Sequence, residues 1–347
     1  MFRIILALAV CASAGTDLRG VEIYSKQTVR FGRWEFRMKA AATPGTVSSF
    51  FTYFNDSYLG TKPWREIDIE VLGKKPTQFQ SNLITGNASS KVTSEDYHSN
   101  GADLSTSYHT YTLDWTPDSI VYRLDGKTVR KTSAPDQQVV DLRDTDQGYR
   151  MNVWASTSSA WVGALDKSKL PVLQIVRWMR YSEYKPGAGD NGSNFKLAWV
   201  DTFKTLDKNR WALGDWTFDG NYATFSGSNC RVSDGHLIMM LSTAANEGQF
   251  PSTFLHDTEG PSSVAPRGAS SNSNHLNPVD RGVWASSASF PRLEAYDLGG
   301  RLVARGTPSV DGQSIDLSRF ASSLLLIRQG TLTARVAPGA KGSIALR

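Results

Sequence analysis

The sequence is short of several things, and each shortage removes a class of protein. Cysteine is nearly missing: Cys11 and Cys230 are the only two in 347 residues. Cys11 falls in an expected leader. One thiol is then left, no intrachain disulfide framework is expected, and Cys230 reads as a small buried apolar side chain. There is no long apolar run; Ile4–Val10 is too short to span a bilayer. There is no stripe of lysine and arginine and no nucleic-acid motif. The formal net charge of +5 therefore reads as surface solvation, and nucleic acid is not expected as a partner. Amphipathic helical patterns are few. Instead, short alternating segments separated by Gly, Asn, Asp and Pro argue for an all-β fold.

Aromatic residues are plentiful, at 11% with ten tryptophans among them. Some must fill a core, and a carbohydrate-binding surface would account for the excess. The most informative segment is Glu66–Leu72, preceded by Trp64 and followed by Gly73. Glu66, Asp68 and Glu70 stand at every second position, with β-branched Ile67, Ile69 and Val71 between them. The spacing predicts a strand with one apolar and one acidic face, its carboxylates about 7 Å apart per step. Such a row can be a solvated edge or can hold Ca²⁺. Here it is surrounded by Phe50, Phe51, Tyr53 and Phe54 upstream and by the amides of Gln78, Gln80 and Asn82 downstream. Aromatic faces stack on pyranose rings, amides bond hydroxyls, and glycoside cleavage needs two carboxyl groups.

The run Glu66-Ile67-Asp68-Ile69-Glu70-Val71-Leu72-Gly73 resembles the signature of glycoside hydrolase family 16, and residues 20–249 as a whole resemble its β-1,3-1,4-glucanases (lichenases). The resemblance implies a concanavalin-like β-sandwich of the jelly-roll type and retaining hydrolysis of mixed-linkage β-glucan. It implies Glu66 as nucleophile, Glu70 as general acid/base, and Asp68 between them, acting through its charge to tune both. Laminarinases of the family usually carry one extra residue before the last Glu, forming a bulge; the uninterrupted spacing here resembles lichenases. The resemblance also implies a glucan groove lined by Phe51, Tyr53, Asn55, Trp64, Gln80, Asn82, Arg150, Asn152, Trp154, Trp161, Trp216 and Asn221. For each tryptophan alone, core packing is an equal reading. His109 stands between a supporting role near the cleft and an ordinary structural histidine. No cofactor is implied; one structural Ca²⁺ is common in the family, but no loop has a specific ligand spacing.

Chain order departs from the usual pattern. Asp201–Trp211, Asp215–Asn221 and Asp234–Leu237 resemble the segment that normally opens the domain, yet here they follow the catalytic strand. This predicts a circular permutation, as in permuted bacterial lichenases, with the Gly- and Pro-containing stretch 184–194 bridging the former termini. Residues 1–14 read as a secretory signal: Arg3, an apolar core, then Ala12-Ser13-Ala14. A lipoprotein reading of Cys11 is disfavoured by the bulk of Val10. The catalytic sandwich is expected over 15–242, a flexible Ser-, Asn-, Gly- and Pro-rich linker over 243–289, and a small β module over 290–347. That module resembles sorting domains of bacterial secretion substrates, which implies contact with secretion or cell-surface machinery. An accessory carbohydrate-binding module is the alternative, weakened by the lack of Trp after residue 290. A secreted monomer acting on polysaccharide is expected. The competing functions are a β-1,3-glucanase, a xyloglucan transglycosylase and a non-catalytic glucan binder; the last has no need of both Glu66 and Glu70.

Overall fold

The structure, a computed structural model, describes residues 17–261 and seven short strands between residues 293 and 346. The expected leader (1–14) and most of the expected linker (262–289) lie outside the described residues. In chain order the strands of the first unit are β1 (Leu18–Ser25), β2 (Gly32–Lys39), β3 (Thr46–Tyr53), β4 (Glu66–Leu72), β5 (Phe79–Asn87), β6 (Ser90–Thr93), β7 (Asp96–His98), β8 (His109–Trp115) and β9 (Ser119–Leu124). They continue as β10 (Lys127–Ser133), β11 (Gly148–Ala155), β12 (Val172–Tyr184), β13 (Phe195–Asp201), β14 (Trp211–Leu213), β15 (Ala223–Phe225), β16 (Cys230–Ser233) and β17 (His236–Thr243). The helical turns are short, such as α1 (Gln137–Asp141) and α2 (Ser159–Val162).

Two antiparallel sheets face each other as a β-sandwich of the jelly-roll class. One runs β14–β1–β11–β3–β4–β5, with β6 and β7 on β5. The other runs β12–β2–β8–β9–β10, with β13 and β17 on the remaining edge of β12. The first residues of β1 leave the first sheet to pair with β15 and β17, which turns the corner between the sheets.

Alternation explains which side chains meet. On β2, Trp34, Phe36 and Met38 are fully buried in the core while Arg33, Glu35 and Arg37 point outward. On β4, Ile67, Ile69 and Val71 are fully buried, and the carboxylates take the other face. The same rule sends Tyr149, Met151 and Val153 of β11 inward and Arg150, Asn152 and Trp154 to the carboxylate face. Burying each such side chain contributes roughly 1.5–3 kcal/mol, so the acidic face is held out by the apolar one. Gly73 ends β4 where a Cβ would overlap the Thr43 carbonyl oxygen.

Residues 195–249 do not form a separate body. β13 pairs with β12, β14 and β15 with β1, and β17 with both β12 and β1, so they complete the same sandwich. The stretch 184–194 is the turn of the β12–β13 hairpin, closed by a Lys185 N–H to Asn194 O bond of 2.7 Å.

The linker expected from residue 243 is corrected at its start. Residues 243–261 are packed on the sandwich: Phe250 and Phe254 cover Tyr108, Ile175 and Ile238. Tyr108 donates its hydroxyl to Leu255 O at 2.6 Å, Arg177 bonds Asp257 O at 2.8 Å, and Trp178 bonds Glu259 O at 3.1 Å. Arg37 pairs with both Asp257 and Glu259. Polar composition suggested a tether, but four anchor side chains, Arg37 on β2, Tyr108 just before β8, and Arg177 and Trp178 on β12, specify a docked strap. The second unit, described by itself, holds β18 (Leu293–Tyr296), β19 (Leu302–Arg305), β20 (Thr307–Ser309), β21 (Gly312–Asp316), β22 (Leu325–Gln329), β23 (Leu332–Val336) and β24 (Ser343–Leu346). They form two antiparallel sheets, β19–β18–β22–β23 and β20–β21–β24. Among the described residues no helix is long and apolar enough to cross a membrane.

A chain ending at residue 249 should therefore melt lower than one ending at 261. Loss of the strap's apolar contacts and hydrogen bonds, about 2–4 kcal/mol, should lower Tm by roughly 5–15 °C. Equal melting temperatures by calorimetry would show that the strap contributes nothing.

Candidate active site

Strand pairing builds the site row by row. Glu66 lies opposite Tyr53 of β3 and Ile84 of β5, Asp68 opposite Phe51 and Asn82, and Glu70 opposite Ser49 and Gln80. Directly opposed residues share a face, so two of the three carboxylates meet aromatics on the β3 side, Glu70 meets Ser49 there, and amides face Asp68 and Glu70 on the β5 side. The ladder runs unbroken through all three positions on both edges of β4. Beyond β3, Arg150 lies opposite Phe51 and Asn152 opposite Ser49; beyond β5, Tyr97 lies opposite Gln80.

Three carboxylates on one partly desolvated face cannot all be charged. Asp68 is 4% exposed, and burial, with the charges of Glu66 and Glu70 added, pushes its proton affinity well above the usual carboxylate range. Burial pushes Glu70 up to about 8, with Glu66 and then Glu95 adding repulsion. Burial also raises Glu66, but only to about 6, because Trp64, Lys91, Arg150 and a hydrogen bond from Asp68 all favour its anion. The Trp64 indole N–H donates to Glu66 Oε2 at 2.6 Å. At neutral pH, Glu66 is thus the ionised member and Glu70 the protonated one. Asp68 was expected to tune its neighbours through its charge; buried between two glutamates, its own proton affinity is raised, and its hydrogen bond to Glu66 favours the Glu66 anion.

Most of the expected wall residues come together. Arg150 donates to Glu22 Oε1 at 2.7 Å and to Asn55 Oδ1 at 2.8 Å, and its guanidinium lies 5.1 Å from the Tyr53 ring centroid. Asn152 donates to Glu22 Oε2 at 3.0 Å. Trp161 donates to Gln80 Oε1 at 2.8 Å, and Asn82 Oδ1 accepts the Ser94 N–H at 3.0 Å. Trp154 is buried on the carboxylate face, packed against Trp161 and Phe218. Trp216 packs against Tyr24 with ring centroids 5.2 Å apart, across β1 from the Arg150 cluster. Trp34, Trp115 and Trp211 are the core tryptophans.

Two expected residues serve elsewhere. Asn221 is buried; its Oδ1 caps the Ala223 N–H at 2.8 Å while its Nδ2 has no hydrogen-bond partner among the described residues, so its oxygen serves the loop. His109 lies on β8, in the opposite sheet. Its Nδ1 bonds Asp125 at 2.7 Å and its Nε2 meets the Ser107 hydroxyl at 2.9 Å, so both nitrogens are engaged and the role is structural. The sequence reading passed over Glu22, Tyr24, Lys91 and Tyr97. A lone Glu in the apolar alternation Val21-Glu22-Ile23 was a usable signal; nothing in the sequence marked Lys91. Among the described residues no group of three or more His, Cys, Asp or Glu side chains comes together as a metal site.

One ionised and one protonated carboxyl, four residues apart on a strand bordered by rings and amides, meet the requirement of glycosidic cleavage. Fold and site together place the molecule among the glycoside hydrolases. The family model of glycosyl hydrolases family 16 matches residues 9–170. A beta-glucanase of Fibrobacter succinogenes (strain ATCC 19169 / S85) is 46% identical over 256 residues, covering 71% of this chain and 72% of that protein. A beta-glucanase of Bacillus subtilis (strain 168) is 37% identical over 179 residues, covering 51% of this chain and 69% of its own. Among solved structures, the Bacillus licheniformis beta-glucanase aligns with a TM-score of 0.40 at 30% identity, over 47% of this chain and 77% of that one. The chain belongs to glycosyl hydrolases family 16.

Proposed function

We propose that this enzyme is a retaining endo-glucanase that cleaves β-1,4 bonds adjacent to β-1,3 bonds in mixed-linkage β-glucan. The observation that carries the reading is the split in proton affinity between Glu66 and Glu70 on one strand face. Glu66 attacks the anomeric carbon while Glu70 protonates the departing glycosidic oxygen. Bond formation consumes the Glu66 charge. That charge is the largest electrostatic influence raising Glu70 after burial, so Glu70 then releases protons more readily and can act as base toward the incoming water. Asp68 supplies the proton that steadies the Glu66 anion. Phe51, Tyr53, Trp154, Trp161 and Trp216 offer ring faces and edges to the sugar, and Asn55, Gln80, Asn82, Arg150 and Asn152 offer polar groups. Relatives named beta-glucanase support the substrate class, and the unbroken ladder at Glu66–Glu70 supports the lichenase over the laminarinase reading.

Export through the leader and sorting through residues 290–347 belong to the same proposal, as do a monomeric state and catalysis without a cofactor. So does the permuted chain order, supported by a family match that ends at residue 170 while residues 195–249 complete the sandwich. Moving 195–249 ahead of residue 17 through a short linker should leave a folded, active enzyme. An inactive, unfolded product would contradict the permutation.

Product analysis on lichenan, laminarin and carboxymethyl cellulose tests the activity. The expected result is cleavage of lichenan alone, chiefly to short oligosaccharides ending in a β-1,3 bond. Release of products from laminarin alone would select the β-1,3-glucanase reading. Activity should fall below about pH 6, as Glu66 gains a proton, and above about pH 8, as Glu70 loses its own. Glu66→Gln and Glu70→Gln should each lower kcat by roughly 10²–10⁴-fold or more with binding retained.

A further inference from the structure

Lys91 stands on β6, a short, wholly exposed strand at the rim of the carboxylate sheet. Its position is set by the backbone. Gly86 lies opposite Lys91 in the β5–β6 hairpin, and the Gly86 carbonyl accepts the Trp64 N–H at 2.8 Å. Gly86 has φ +86°, and a Cβ there would overlap the Ser90 carbonyl oxygen, so the tight hairpin requires glycine. The result carries the Lys91 ammonium over the indole: Nζ lies 3.4 Å from the Trp64 ring centroid. That same indole holds Glu66 through its N–H. Trp64 was expected to offer its ring to sugar, yet Lys91 occupies one face.

We propose that Lys91 is a positioning residue for the Glu66 carboxylate: its ammonium clamps the Trp64 indole in the orientation that donates to Glu66 and adds a positive charge beside that anion. The proposal rests on Glu66 being the nucleophile. A cation over an indole face is attracted by the negative face of the ring quadrupole. Other charged and titratable groups facing Glu66 are Asp68 and Glu70 on its own strand, Tyr53 on β3 and Arg150 on β11. Arg150 is already committed to Glu22 and Asn55, and Tyr53 is held neutral by burial and by the Glu66 charge. Lys91 is thus the cation on the β5–β6 side that favours the charged nucleophile.

The experiment compares Lys91→Met, Lys91→Arg and Lys91→Glu on lichenan by kcat/KM against pH, at low and high salt. Met keeps the aliphatic stem, so lost packing is separated from lost charge. Removing the cation disfavours ionised Glu66, so the acid limb should move to higher pH by about half a unit to one unit in Lys91→Met, further in Lys91→Glu, and not in Lys91→Arg. High salt should move the wild-type limb toward that of Lys91→Met and leave Lys91→Met itself little changed. An unmoved acid limb in both Lys91→Met and Lys91→Glu would overturn the proposal. So would a displaced limb in Lys91→Arg equal to that of Met. Near-wild-type turnover in Glu66→Gln would instead remove the nucleophile assignment beneath it, whatever the Lys91 variants do.

Discussion

Everything in this molecule is arranged around three carboxyl groups that share one face of one strand. The opposite face of β4 is core: Ile67, Ile69 and Val71 are fully buried. The strand therefore cannot rotate or slip without exposing that apolar row, since a one-residue shift of register exchanges the two faces. Glu66, Asp68 and Glu70 are held together by hydrophobic packing despite their mutual repulsion. The repulsion is relieved by retaining protons, and the neighbours decide which group stays charged.

The neighbours are distributed asymmetrically. Toward Glu66 lie the Trp64 N–H, Lys91, Arg150 and the Asp68 proton; toward Glu70 lie the charges of Glu66 and Glu95. Arg150 is in turn fixed by Glu22, which is 2% exposed and also holds Asn152. β1, β3, β4, β5, β6 and β11 thus each contribute to one electrostatic arrangement. Because β1 is itself completed by β14, β15 and β17, the late segment 195–249 supports the strand that holds Arg150 in place.

The strand face was legible from the sequence because a period of two leaves little freedom: once Ile67, Ile69 and Val71 are core, the carboxylates must face the other way. The same period of two puts Arg150, Asn152 and Trp154 of β11 on one row. Reasoning by position failed where function depends on partners distant in sequence. His109 looked adjacent to the cleft, but β8 belongs to the other sheet and Asp125 takes its ring. Asn221 was read as a wall amide, and its oxygen also serves the loop as a cap. Residues 243–261 looked like a tether because their composition is polar, whereas their anchors, Tyr108, Arg37, Arg177 and Trp178, lie far upstream. The raised proton affinity of Asp68 was likewise hidden, because alternation reports which face a group shares and not how dry that face is.

The central claim is the order in which the carboxyl groups give up their protons. It is tested most directly by ¹³C NMR titration of the enzyme with carboxyl-labelled Glu and Asp, the resonances assigned with single Gln and Asn variants. The account predicts that near pH 7 Glu66 is ionised while Glu70 retains its proton, with Glu70 titrating well above Glu66 and Asp68 above the usual carboxylate range. Titration of Glu70 at or below Glu66, or an Asp68 signal already ionised near pH 4, would contradict it.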